Sequence, residues 1–271
     1  MSRNILDAIL DTKRKEVASL RREADLETWR SRAASAEPAR NFYSAMVARP
    51  RRLLNLIAEV KRASPSAGVI REDFDPVAIA SQYAGAGAQA ISVLTDEVYF
   101  RGRLDYLEAV RDAVGLPVLR KDFIIDPVQV YQSRAAGADA ILLIAAAMPV
   151  GMLADLMILA ADLKMTVLLE IHEADELLQI RSMIGFPRGG YSLLGINNRD
   201  LRTFKVDIGT TIRLADLAGE GVPVISESGI RARRDIERLK AAGVKGVLVG
   251  ETLMRAANFA DEIESLLGPE R

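Results

Sequence analysis

Ala136-Gly137-Ala138-Asp139-Ala140-Ile141 closes one helical pattern and opens an apolar run. The chain makes the same move at Ala86-Gly87-Ala88-Gln89-Ala90-Ile91 and again at Ala242-Gly243-Val244-Lys245-Gly246-Val247. A glycine among small residues suits the end of a helix that feeds straight into a strand. Gly137 and Gly243 stand 106 residues apart, and Pro117 and Pro223, in Leu116-Pro117-Val118 and Val222-Pro223-Val224, repeat that spacing. Four strand–helix units of about 26 residues each fit into such an interval. Units three and four therefore echo units seven and eight, as in a barrel made of two half-barrels.

Outward from these junctions, eight short apolar runs follow one another: Leu54–Lys61, Ala90–Thr95, Pro117–Phe123, Ala140–Ala146, Thr166–His172, Ser192–Asn198, Val222–Ser228 and Gly246–Glu251. Helical patterns separate them at Pro76–Ala86, Leu104–Val114, Pro127–Ala136, Val150–Leu163, Ala174–Met183, Ile208–Ala218 and Arg231–Ala242, several opening on Pro or an acid and closing at Gly. Each helix must carry the chain back, so the strands are parallel, and their near-continuous apolar character fits a sheet covered on both faces. The expected fold is α/β, a single (β/α)8 TIM barrel over residues 51–271, with an open doubly wound sheet as the alternative. Residues 1–50 read as an N-terminal helical extension packed on the barrel, the whole forming one domain. Ile5, Leu6, Ile9 and Leu10 recur at helical spacing, with Asp7, Asp11, Lys13 and Lys15 between them. A second helical stretch, Leu26–Ala34, carries Trp29, the only tryptophan.

Composition narrows the function. Among 271 residues, 36 Lys and Arg stand against 37 Asp and Glu, which gives no basic excess for nucleic acid. The absence of Cys and a single His, His172, remove thiolate and His-rich metal sites. The opening Met-Ser-Arg-Asn-Ile-Leu-Asp has no apolar leader, and the longest apolar run, Ala140–Ala154, is interrupted by Pro149, too short and broken for a membrane span. Mixed charges on the first helix disfavour anionic lipid. A cytoplasmic protein without nucleic-acid, membrane or obligate protein partners is expected.

Active-site residues of a barrel gather at the C-terminal ends of its strands, and here those ends are polar. They read Glu59-Val60-Lys61, Arg120-Lys121-Asp122, Glu170-Ile171-His172, Asn197-Asn198-Arg199, Ser226-Glu227-Ser228-Gly229 and Gly250-Glu251-Thr252. Strand alternation puts Glu59 with Lys61, and Glu170 with His172, on one face. A charge on an inward position is costly unless paired; so many together point to catalysis rather than to an isolated structural ion pair. Ser226-Glu227-Ser228-Gly229 before the helix at Ile230–Ala242, and Val249-Gly250-Glu251-Thr252 after strand eight, offer hydroxyls and backbone N–H groups for phosphate. The segment Lys61–Gly68 is a third candidate contributor, unless it is an ordinary Pro/Ser turn.

In order along the chain, these segments resemble the blocks of the indole-3-glycerol phosphate synthase family. They are Leu56-Ile57-Ala58-Glu59-Val60-Lys61-Arg62-Ala63-Ser64-Pro65-Ser66, Ser92-Val93-Leu94-Thr95-Asp96, Leu119-Arg120-Lys121-Asp122-Phe123-Ile124, Leu168-Leu169-Glu170-Ile171-His172, Gly195-Ile196-Asn197-Asn198-Arg199-Asp200-Leu201, Ser226-Glu227-Ser228-Gly229-Ile230 and Val249-Gly250-Glu251-Thr252-Leu253-Met254. The resemblance runs over nearly the whole chain, with mild departures at Tyr99, Arg101 and Arg103 that bear on the loop after strand two.

The resemblance implies a phosphosugar substrate, 1-(2-carboxyphenylamino)-1-deoxyribulose 5-phosphate, converted to indole-3-glycerol phosphate with loss of CO2 and water. It casts Lys121 as the acid for ring closure and Glu170 as the acid for dehydration. Glu59 becomes a base or an orienting group, Lys61 and Asn197 position the substrate, and Ser64 and Ser228 are site hydroxyls. Phe123 and Leu142 fall to substrate binding, Phe123 at the anthranilate ring. Arg199 takes a carboxylate or polar contact, Glu227 belongs to the binding set, and Gly229, Gly250 and the backbone of Glu251 hold phosphate. No metal and no organic cofactor is expected, because the electrons left by CO2 return to an aromatic ring. Another phosphosugar barrel, such as a Schiff-base aldolase using Lys121, and a non-catalytic phosphosugar-binding barrel are the alternatives.

Overall fold

The computed structural model describes residues 5–184, 190–200 and 203–270, with side chains 182–184 left aside. The first four residues of the chain and Leu201 of the fifth family block lie outside them. Eight parallel strands close a barrel: β1 (Asn55–Val60), β2 (Ala90–Leu94), β3 (Val118–Lys121), β4 (Ala140–Ile144), β5 (Thr166–Ile171), β6 (Ser192–Asn197), β7 (Val224–Glu227) and β8 (Gly246–Val249). Each strand pairs with its sequence neighbours, and β1 pairs β8 from Asn55↔Gly246 to Ala58↔Val249, which excludes the open sheet.

The junctions that suggested the fold work as expected. Gly87, Gly137 and Gly243 have φ of 86°, 86° and 79°, a left-handed turn that a β-carbon would strain. Asp75 and Asp126 accept backbone N–H bonds at the starts of the helices Pro76–Gly85 and Pro127–Ala135, each with Pro in its first turn.

Alternation along the strands sorts the core into two layers. Leu56, Ala58 and Val60 of β1 pack outward under the helices, whereas Ile57 points inward to meet Ala90, Leu119, Ala140, Leu142, Leu168, Leu193, Ile225 and Leu248. Phe42 and Met46, fully buried on the short helix α3 (Phe42–Val47), join this inner cluster. The Asn55 amide fixes that helix by donating to Met46 O and Ala48 O at 2.9 and 3.0 Å.

The extension forms α1 (Ile5–Glu23) and α2 (Leu26–Ser35), with Trp29 packed against Val17 and Val128. One residue departs from its expected surroundings. Lys13, grouped with the polar residues of α1, is 1% exposed, because it shares the stripe of Leu6, Ile9, Leu10 and Val17. Between β1 and the helix Pro76–Gly85, Ala63-Ser64 and Gly68-Val69 form a small antiparallel hairpin. Among the described residues no helix is long and apolar enough to cross a membrane.

Candidate active site

Inward side chains change character at the top of the barrel. Ile57 is followed two residues on by Glu59, Leu119 by Lys121, Leu168 by Glu170 and Ile225 by Glu227, so the pleat lays an ionic layer directly on an apolar one. The charges meet there. Lys121 Nζ lies 3.0 Å from Glu227 Oε2 and 3.3 Å from Glu170 Oε2, and Lys61 Nζ lies 2.6 Å from Glu59 Oε1. Two glycines leave the necessary space: a β-carbon at Gly195 would overlap Glu227 Oε1, and one at Gly250 would overlap Glu59 Oε1.

This packing sets the protonation states. Burial works against the Lys121 ammonium, yet Glu227, Glu170 and Glu59 outweigh it and hold its pKa above the ordinary lysine range. Burial likewise opposes charge on Glu170, but Lys121, His172 and Asn197 keep its carboxyl well below the usual carboxylate range. Glu227 goes the other way. Burial, helped by the negative charges of Glu170 and Glu59, outweighs Lys121 and pushes it up to about 7, and its Oε1 is buried without a hydrogen-bond partner. Two carboxylates on one lysine thus have their pKa values pushed apart, Glu170 downward and Glu227 upward.

His172 stands behind this group. Its Nε2 is 3.3 Å from Glu170 Oε1 and its Nδ1 3.8 Å from Glu176 Oε2, within ion-pair range but not aligned for hydrogen bonds. Burial disfavours its imidazolium, but the two carboxylates prevail and push it up to about 10.

A single cavity of about 570 Å³ gathers every residue expected at the site. Lys121, Glu170, Glu59, Lys61, Asn197, Ser64 and Ser228 line it together with Phe123, Leu142, Arg199, Glu227, Gly229, Gly250 and Glu251. Ser64, on the hairpin, accepts the Ala67 N–H at 3.2 Å. Asn197 Oδ1 accepts the Arg199 N–H at 3.0 Å, and the Arg199 guanidinium lies 3.9 Å from Glu251.

One expected contribution is redistributed. The helix after β7 begins at Arg233 rather than near Ile230, and Asp235 already accepts the Arg231 and Ala232 N–H groups. The anion-binding expectation therefore rests on the turn Ser228-Gly229, where φ is 67° and 79°, and on the short helix Glu251–Arg255 after β8.

Comparison with known proteins decides the family. The description of the indole-3-glycerol phosphate synthase family matches residues 6–266. The indole-3-glycerol phosphate synthase of Neisseria gonorrhoeae is 49% identical over 266 residues, covering 97% of this chain and 99% of its own. That of Halalkalibacterium halodurans is 44% identical, covering 98% of each chain.

This chain belongs to the indole-3-glycerol phosphate synthase family.

As a member it is a lyase that closes the indole ring on the route to tryptophan, and its substrate is a small phosphosugar. Its fold is shared more widely. A 3-hexulose-6-phosphate synthase from Salmonella typhimurium superposes with a TM-score of 0.62 at 15% identity, over 79% of this chain and 96% of that one.

Several cavity residues of this synthase were not foreseen from the sequence. Ile5, Leu6 and Ile9 of α1 form part of the wall, and Phe100 sits with its ring centroid 6.0 Å from that of Phe123. The apolar stripe of α1 was visible, but a stripe shows that a helix docks and not what it docks over. Arg231, on the loop after β7, and Arg255, at the end of the helix Glu251–Arg255, also reach the cavity from positions where they look like ordinary surface charges. Among the described residues no group of three or more His, Cys, Asp or Glu is placed to hold a metal ion.

Proposed function

We propose that the cavity binds 1-(2-carboxyphenylamino)-1-deoxy-D-ribulose 5-phosphate and converts it by general acid–base catalysis, with Lys121 as the first proton donor. The observation that supports this is the Lys121 ammonium held between Glu170 and Glu227 at the cavity surface. In ring closure the ring carbon bearing the carboxylate attacks the ketone, and Lys121 protonates the developing alkoxide. Loss of CO2 returns its bonding electrons to the ring. Glu170, ionised at rest, takes a proton within this hydrogen-bonded group and then delivers it to the departing hydroxyl, while Glu59 accepts the proton lost from the adjacent carbon. One C–C bond forms, one C–C and one C–O bond break, and the products are indole-3-glycerol phosphate, CO2 and water.

Around that chemistry, Lys61 and Asn197 position the sugar and Arg199 takes the carboxylate. Phe123 and Leu142 face the anthranilate ring. Ser64 and Ser228 supply site hydroxyls, Gly229, Gly250 and the backbone of Glu251 hold the phosphate, and Glu227 completes the charge balance on Lys121. We also place the protein in the cytoplasm, the compartment of amino-acid biosynthesis, and working without an obligate protein partner, since every group invoked comes from one chain. A Schiff-base aldolase needs a lysine that sheds its proton easily, which the carboxylates around Lys121 oppose.

The test adds the carboxyphenylamino-deoxyribulose phosphate to the purified protein and follows indole fluorescence. Indole-3-glycerol phosphate is expected to appear with equimolar CO2, and borohydride added during turnover should trap no adduct. A covalent adduct on Lys121, or turnover without CO2, overturns this reading.

A further inference from the structure

Lys13 is the one lysine of α1 turned away from solvent, and it ends among carboxylates from three segments. Its Nζ lies 2.9 Å from Asp96 Oδ2 and 2.8 Å from Asp122 Oδ1, with Glu16 of its own helix at 2.8 Å. Asp96 follows β2 and Asp122 follows β3; both are buried. Neither is a bystander to the cavity. Asp96 Oδ1 accepts the N–H groups of Tyr99 and Phe100 at 2.7 and 3.1 Å, capping the turn that carries Phe100. Asp122 Oδ1 accepts the Phe123 N–H at 2.8 Å, and Asp122 is the immediate neighbour of Lys121.

The far side of Asp122 is equally fixed. Its Oδ2 accepts Thr95 Oγ1 at 2.6 Å and Arg120 at 3.0 Å, and Arg120 in turn donates to Gln132 and Ser133. The helix has a second hold on the same loop, since Tyr99 OH donates to Ala8 O at 3.0 Å. On the turn facing the cavity, α1 contributes Leu6 and Ile9 beside Phe100 and Phe123.

We propose that Lys13 is a positioning residue for the reaction, an ionic clasp through which α1 sets the Phe100–Phe123 pair and so builds the part of the site that receives the substrate's aromatic ring. This goes beyond the proposed function and rests on it for the substrate. A clasp of this kind acts on binding of the ring and leaves the Lys121–Glu170–Glu227 chemistry in place. The effect belongs in KM rather than in kcat, and in ligands with a ring rather than in those without one.

Removing Lys13 alone leaves Asp96 buried without its cation and Asp122 with Arg120 alone, and an uncompensated buried carboxylate strongly destabilises a protein. The decisive variant therefore pairs Lys13→Met with Asp96→Asn, deleting one charge of each sign. The full-length double variant is expected to melt cooperatively with wild-type circular dichroism. Its KM should rise about tenfold with kcat within threefold, and inhibition by indole-3-glycerol phosphate should weaken by a similar factor. Inhibition by ribulose 5-phosphate, which has no ring, should stay within twofold. Hydrogen exchange on the free protein supplies a readout independent of the substrate: the Tyr99, Phe100 and Phe123 amides should lose protection along with α1. The clasp is overturned if the variant fails to fold, if KM stays within twofold, if both ligands weaken equally, or if exchange rises in α1 alone. A wild-type protein that does not turn over the substrate overturns the functional reading instead, and leaves the exchange comparison to decide the clasp.

Discussion

Buried ions occur at both mouths of the barrel, and the two groups differ in how completely they are satisfied. At the N-terminal mouth Asp139, fully buried, takes the Arg40 N–H at 2.7 Å and the Val118 N–H at 2.8 Å, and pairs with Arg111 at 3.2 Å. The Arg40 guanidinium is spent on the Val114, Leu116 and Arg111 carbonyls, and Arg134 on those of Ala138 and Glu37. At the C-terminal mouth one lysine is shared by two glutamates, Glu227 Oε1 has no partner, and neither His172 nitrogen makes an aligned bond. A closed network rigidifies and stays inert. An open one holds protons and lone pairs in reserve, so incomplete satisfaction distinguishes the working end from the structural end.

Glu170→Gln tests the open end most severely, because it keeps the shape and removes the proton carrier. Turnover is expected to fall about 10²–10⁴-fold with substrate affinity little changed; near wild-type kcat at saturating substrate means that the dehydration acid lies elsewhere. Lys121 comes next. Arg retains the charge but not a transferable proton, so Lys121→Arg and Lys121→Met should both lose on the order of 10² in kcat. An Arg variant within about threefold of wild type, ~0.65 kcal/mol in the barrier, reduces Lys121 to an electrostatic contact.

The closed end should behave in the opposite sense. Asp139→Ala leaves the surrounding arginines without their anion and is expected to destabilise the fold by about 3–5 kcal/mol, with kcat of the folded fraction within twofold; denaturant unfolding beside an active-site titration separates the two. His172 gives a gentler, pH-resolved test. Its pKa is raised in the folded protein to about 10, so its contribution to stability is complete below its unfolded value of about 6.5 and is lost as pH rises through 10. Between those limits the stability advantage of wild type over His172→Gln should shrink with rising pH; a constant advantage refutes the buried imidazolium. The smallest effect is expected from metal removal. Exhaustive dialysis against EDTA should leave activity unchanged, and restoration by one divalent ion after a loss would break the cofactor-free reading.

How far the chain could be read in advance differed between positions fixed by local period and polar groups with distant partners, for a physical reason. The catalytic layer was legible because strand period is short and local: once Ile57 faces inward, so must Glu59, and the same step carries Leu119 to Lys121. The three Ala-Gly junctions gave the barrel on equally local grounds. Lys13 was not legible. Its place on the α1 stripe is set by helical spacing, but a lysine there gains a partner only when two distant loops bring Asp96 and Asp122 beneath it. The start of the helix after β7 was misplaced for a similar reason, since Asp235 turns back to take the amides of Arg231 and Ala232. Long-range satisfaction of a polar group leaves little trace in a local pattern.

Lys121 and Glu227 are separated by the same 106 residues that relate the two halves of the chain, and they touch across the barrel. Each is the other's counterpart under the pseudo-twofold axis. A ring assembled from two copies of either half would confront lysine with lysine, or glutamate with glutamate, at that spot. Unlike charges replaced by like ones about 4 Å apart exchange attraction for a repulsion of roughly 4 kcal/mol at an effective dielectric near 20. Proton transfer at the centre requires that the symmetry be broken there. Complementation between separately made halves is therefore expected to rebuild the acid–base site only with the unlike pairing.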